Sequence, residues 1–217
     1  MKKLYVVGTM DTKGEELRYA KAMASAAGVE ACLVDVGTLQ SVADADVPAR
    51  AVAAHCPGGA ETVLSLKDRG RAVSAMAEAL GNFLLSRDDV GGVLGLGGSG
   101  NTALVTEAMR RLPVGVPKLM LSTVASGNTA PYVGPSDIAM MYSVVDIAGL
   151  NAISRRVIAN AAHAAAGMVL NALSASQGDR PALGVTMFGV TTPRLNRITT
   201  SSSSMPPAWA DNRWKSL

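Results

Sequence analysis

The run Gly95-Leu96-Gly97-Gly98-Ser99-Gly100-Asn101-Thr102 constrains this chain more than any other stretch. Val90-Gly91-Gly92-Val93-Leu94 before it reads as a buried strand, and Ala103–Arg111 after it reads as a helix. A buried strand that turns through glycines into a helix is the unit from which parallel α/β sheets are built. The same turn is a ready anion site, because the first N–H groups of a helix are unpaired and its dipole favours negative charge there. Glycines at 95, 97, 98 and 100 let a phosphate approach the backbone with no Cβ in the way. The spacing Gly95-x-x-x-x-Gly100 with Thr102 imitates a P-loop, but Asn101 stands in place of its lysine. Tight helix–sheet packing is the alternative use of these glycines.

Strand and helix signals alternate through most of the chain. Strands are expected at Leu4–Gly8, Glu30–Val36, Val90–Leu96, Lys118–Ser122 and Ile138–Tyr142, with a last strand-like run at Leu183–Phe188. Helices are expected from Gly14 to Ala27, stopped by Gly28, then from Asp68 to Ser86, from the glycine loop to Pro113, and from Leu150 to Leu173. Residues 40–62 are loop-rich with a short helical piece near Pro48–Ala54. The apolar positions Val73, Met76, Ala77, Leu80, Phe83 and Leu84 recur at helical spacing. This order predicts an α/β fold: a Rossmann-like, mostly parallel sheet with helices on both faces and right-handed crossovers. Ligands of such sheets sit beyond the carboxyl ends of the strands. Small hydrogen-bonding residues gather there: Thr9–Lys13 after the first strand, Asp35–Thr38 after the second, Gly97–Thr102 after the third and Ser122–Asn128 after the fourth.

Those loops supply complementary chemistry. The glycines offer N–H donors, and Ser99, Thr102, Ser122, Thr123 and Ser126 add hydroxyls. Lys13 supplies the cation that Asn101 does not, on condition that the first and third strands lie side by side. Asp11, Asp35 or Asp137 is a candidate to hold magnesium, mostly through water; helix-cap or turn roles are the alternatives for each. No nucleophile, base and acid fall into a recognisable triad, so no catalytic residue is assigned. Cys32 sits in an apolar strand, and two cysteines make neither a metal set nor a disulfide framework. His55 and Cys56 are adjacent and point apart on an extended chain; His163 falls on an alanine-rich helix as a packing or surface residue.

Composition narrows the partners. Of 217 residues, 48% are hydrophobic and 17% charged, enough to bury a full core. A net charge of +3, with scattered basic residues and 4% aromatics, argues against a nucleic-acid partner. No apolar run reaches membrane-spanning length. Met1-Lys2-Lys3 leads directly into Leu4-Tyr5-Val6-Val7, so a cytoplasmic location is expected.

Four stretches make a family legible: Val7–Glu15, Gly95–Ala103, Val116–Thr123, and Ala125-Ser126-Gly127 through Tyr132-Val133-Gly134. The run Ser136–Asn151 belongs with them. Over residues 3–193 the chain resembles the tobamovirus-resistance-protein-like ATP-binding domain family. The resemblance implies a Rossmann-like N-terminal domain that binds ATP, with magnesium, followed by a second α/β domain. It implies phosphate-binding loops at Thr9, Asp11, Thr12 and Lys13 and at Gly97, Gly98, Ser99, Gly100, Asn101 and Thr102, with Thr123, Ser126 and Gly127 lining the same crevice. It implies a homodimer as well. The chain departs from the family at Asn101, where a glycine is usual and an asparagine can still adopt positive φ, and at Asn128, where an aspartate is usual.

The nucleotide-binding domain is thus expected over residues 1–178, and Gly184–Pro193 looks like the opening of the second domain, over 179–193. Residues 194–217, with Ser201–Ser204, Pro206-Pro207 and both tryptophans, look like a disordered tail foreign to the family. The expected function is ATP binding at the strand ends. The alternative is a fragment of a metabolic enzyme whose same crevice takes a phosphorylated small molecule.

Overall fold

The apolar residues of the strands fall into two alternating sets, and each set has a helical layer to bury it. A computed structural model describes residues 1–39 and 44–173, nearly all in the first of the chain's two compact units, Met1–Ala172. The strands are β1 (Lys3–Gly8), β2 (Ala31–Asp35), β3 (Val90–Gly97), β4 (Lys118–Ser122) and β5 (Ala139–Tyr142). The helices are α1 (Met10–Ala26), α2 (Ala49–Ala53), α3 (Glu61–Leu64), α4 (Arg69–Leu85), α5 (Ser99–Met109), α6 (Ala130–Val133) and α7 (Ala152–Leu170). The strands form one parallel sheet in the order β2-β1-β3-β4-β5. The fold is α/β and Rossmann-like, as expected.

Side chains alternate across the sheet with a period of two. Leu4, Val6, Leu33, Leu94, Leu96, Leu119 and Leu121 meet α1 and α7 on one face. Tyr5, Val7, Val34, Val93 and Met120 meet α2, α4 and α5 on the other. Both faces are covered, so these strands read as continuous apolar runs. The crossovers from β1 and β3 lie on opposite faces, which makes the β1/β3 boundary the topological switch point.

Three glycines of β3 serve packing. A Cβ on Gly91 or Gly92 would fall 2.9 or 2.8 Å from the Val169 side chain of α7. One on Gly95 would fall 2.5 Å from Met120 Sδ and 2.8 Å from Val105 Cγ1 of α5. Across the α1–α7 contact, Ala161, Ala162, Ala165 and Ala166 are buried against α1, so the small-residue stripe of α7 is used within this chain. Glu16 of α1 is buried and accepts the Gly149 amide at 2.6 Å, fixing the turn that leads into α7.

Two expectations on helices change. Helix α1 starts at Met10, not Gly14, with Lys13 in a non-helical conformation (φ −133°, ψ 23°), so the first turn is a separate piece that continues directly from β1. The four-residue helices α3 and α6 were not expected. The strand-like run Leu183–Phe188, the second-domain opening at 179–193 and the tail 194–217 lie outside the described residues. Among the described residues no helix is long and apolar enough to cross a membrane.

Candidate functional site

The β3–α5 turn is built around one conformation that requires glycine. Gly97 has φ +155°, and a Cβ there would lie 2.7 Å from Asn101 Cβ. Gly98 is the N-cap of α5 in an extended conformation (φ −81°, ψ −169°) with no capping side chain. The first intrahelical bond is Thr102 N to Gly98 O, 2.9 Å, so the amides of Ser99, Gly100 and Asn101 precede the helical ladder. Above them is open space: a Cβ on Gly100 meets nothing within 4 Å, and one on Gly98 meets only Thr123 Oγ1 at 3.6 Å. Positive φ is carried by Gly97, and Asn101 is helical, so asparagine was not needed for the turn. Asn101 Nδ2 instead donates to Leu96 O and ties helix to strand.

The β1–α1 turn forms the facing wall. Thr9 and Thr12 hydroxyls are hydrogen-bonded at 2.8 Å. Asp35, wholly buried at the end of β2, accepts from Met10 N (3.0 Å) and Gly37 N (2.8 Å) through one oxygen, Oδ1. Burial pushes the Asp35 carboxyl above the ordinary aspartate range; the two amides oppose this, and the charge of Asp11 adds to it.

Between the walls is a cavity of about 340 Å³ at the switch point. Thr9, Asp11, Thr12 and Lys13 line one side, Gly97–Asn101 the other, and Thr38 and Leu39 the β2 end. The condition for Lys13 to face Asn101, β1 beside β3, holds. Arg69, the first residue of α4, adds a second cation that sequence reasoning missed. It lies 28 to 31 positions before the glycines it joins, and its spacing carries no motif.

Other expected residues are placed elsewhere. Thr102 is fully buried, and its hydroxyl bonds Gly98 O (2.8 Å) and Ser122 Oγ (2.7 Å), holding α5 to β4. Thr123 stands at the rim beside Gly98, while Ser126 and Gly127 are exposed and do not line the cavity. Asp137 is no magnesium candidate: it lies at the amino ends of β4 and β5, where it pairs with the buried Lys118 ammonium at 2.6 Å and accepts Gly115 N at 2.8 Å. His55 packs its ring edge against Phe83 with Nδ1 near Ala51 O, and His163 is exposed. Cys32 is half-buried, and burial raises its thiol pKa, in keeping with an unreactive residue. A wider groove of about 730 Å³ between α4 and α5 is lined by charges of both signs, including Arg71, Glu78, Glu107 and Arg111. It adjoins the crevice at the start of α4, where Asp68 and Gly70 flank Arg69, but no residue of the glycine turn lines it.

Residues 2–174 match the N-terminal domain of the family described as Uncharacterised protein family (UPF0261). The chain belongs to this family. A UPF0261 protein of Rhizobium meliloti is 54% identical over 198 residues, which are 91% of this chain and 50% of that protein. A UPF0261 protein of Clostridium tetani is 42% identical over 90% of this chain and 49% of its own length. The tomato protein named ToMV resistance protein Tm-1(GCR237) is 41% identical over 90% of this chain and 29% of its own length. The chain therefore spans about half the length of the bacterial relatives it matches.

Proposed function

We propose that the switch-point crevice binds ATP by its phosphates. The observation that carries this reading is the open N-terminus of α5: three amides at Ser99, Gly100 and Asn101 with clear space over Gly98 and Gly100, facing Lys13 and Arg69. Unpaired amides, a helix dipole and two cations converge where an α/β sheet of this order takes its ligands. The adenosine would extend toward Thr38, Leu39 and Val73, which supply the less polar part of the wall.

A second reading has its own support. A cavity of about 340 Å³ is at the small end for a ligand site, which suits a phosphorylated metabolite without a base. Calorimetric titration of the chain with ATP, ADP, ribose 5-phosphate and inorganic phosphate separates the two. ATP and ADP binding far above the other two supports the nucleotide. Equal affinities for all phosphates support the small metabolite, and no binding by any removes the phosphate site. Chemistry on the bound ligand would draw on the remainder of the longer family members.

A further inference from the structure

Thr102 and Ser122 are fully buried hydroxyls from different elements, one in the first turn of α5 and one at the end of β4. Each has one proton to donate, so their partners fix the direction of every bond. Thr102 Oγ1 lies 2.8 Å from Gly98 O, and a carbonyl only accepts, so the threonine proton points there. The 2.7 Å bond between the two hydroxyls is then donated by Ser122 Oγ and accepted by Thr102 Oγ1. Ser122 Oγ accepts in turn from Val124 N at 3.1 Å. The result is a one-way chain that runs from Val124 N–H through Ser122 and Thr102 to Gly98 O.

Gly98 O belongs to the same peptide unit as Ser99 N–H, the first of the three amides at the crevice. The carbonyl also accepts Thr102 N at 2.9 Å, so two donors converge on it. That backbone bond alone closes the first turn of α5; the helix does not call for the hydroxyls. Hydrogen bonds accepted by a carbonyl polarise the peptide and make its N–H a stronger donor, by roughly 10–30% per bond. The preceding carbonyl, Gly97 O, is held from the same loop by Thr123 N at 3.3 Å. We propose that Ser122 and Thr102 are positioning residues of the anion site. Neither lines the cavity. Together they set the tilt of the Gly98–Ser99 peptide and strengthen its N–H toward a bound phosphate. The role in binding rests on the phosphate reading above; the action on the Ser99 amide is tested without any ligand.

Thr102→Val keeps the shape and loses the hydroxyl, whereas Thr102→Ser keeps the hydroxyl and loses the methyl. A hydroxyl chain and a packing role therefore predict opposite orders for the two variants. The full chain is followed by proton–nitrogen correlation NMR without ligand, read at the Ser99 amide, and by calorimetric titration with ADP. Thr102→Val and Ser122→Ala are expected to move the Ser99 amide proton upfield and to weaken ADP by about threefold to tenfold, the range of one lost hydrogen bond. Thr102→Ser stays with the wild type in both. Thr106→Val is the control: Thr106 is equally buried, but its hydroxyl donates to Thr102 O within α5, and the variant binds ADP as wild type. Should Thr102→Val unfold, Ser122→Ala, which removes a single oxygen, carries the test. Wild-type ADP affinity in Thr102→Val overturns the proposal, and so does a Thr102→Ser protein that loses as much as Thr102→Val. A Ser99 amide unmoved in both hydroxyl-deleted variants overturns it as well. A wild type that binds no ADP refutes the phosphate reading instead, and the Ser99 shift then decides the chain by itself.

Discussion

Gly97 and Gly98 are neighbours with opposite requirements. Gly98 has a backbone that any residue adopts, and its missing side chain leaves room only on the cavity side. Gly98→Val is therefore expected to fold with a melting temperature near wild type and to lose ATP binding, read by calorimetry. Micromolar ATP affinity in that folded variant would remove the phosphate site. Gly97→Ala is expected to cost about 2 kcal/mol in urea denaturation, from positive φ and the clash with Asn101 Cβ. Lys13→Ala should weaken ATP but not adenosine, by roughly 1.5–3 kcal/mol for a lost charge-assisted bond. Equal ATP affinities at low and moderate salt would make Lys13 a bystander. That Gly97, Gly98 and Gly100 share a cavity with Thr9, Asp11, Thr12 and Lys13 was legible because the turns after neighbouring parallel strands meet at the switch point. Thr102 was misread as cavity-facing because α5 turns its hydroxyl toward Ser122, a partner 20 residues away that no local spacing reveals.

At the scale of elements, the strands were legible and the short helices were not. The five strands of the described residues lie within one residue of their expected limits, since a sheet buried on both faces writes itself as apolar runs bounded by glycine and polar turns. Helices α3 and α6, of four residues each, are too short to show a period. The start of α1 was displaced because the break at Lys13 separates its first turn from its apolar stripe. The Lys118–Asp137 pair was illegible for another reason: it joins the start of β4 to the loop before β5, a contact made by topology alone. Desolvation raises the Asp137 carboxyl, but the Lys118 ammonium and the Gly115 amide outweigh it and hold the group below the usual 3.8. The folded pKa is thus lower than the unfolded one. The stabilisation is whole above the unfolded value and fades as pH falls through the folded one. Asp137→Ala strands a buried ammonium on the carbonyls of Pro113 and Val116. Its expected cost at neutral pH is about 2 kcal/mol, reduced from a fully buried pair because Asp137 is partly exposed. Urea denaturation should show wild type and variant converging in strong acid; a constant gap across pH would assign the loss to packing instead.

At the scale of the molecule, the question is what covers the outer side of β5. The alanine stripe of α7 is buried on α1 within the chain. The sheet offers a different surface. Among the described residues β5 pairs only with β4, Met140 and Met141 are half-buried, and Tyr142 and Val144 are 42% and 57% exposed. Val144 also carries φ +66°, an unusual conformation for a β-branched residue, held by the Val145 N to Ser143 O bond of 2.7 Å. An unpaired strand edge with apolar side chains is a template for another chain. The expected outcome is therefore a homodimer through β5, with light scattering giving a mass near twice 22.2 kDa at micromolar concentration. Val144→Lys places a charge at that edge without touching the crevice, and it should yield monomers that keep their phosphate binding. A wild-type protein that stays monomeric over the same range, with and without ATP, rules the interface out. A dimer unaffected by Val144→Lys places it on another surface.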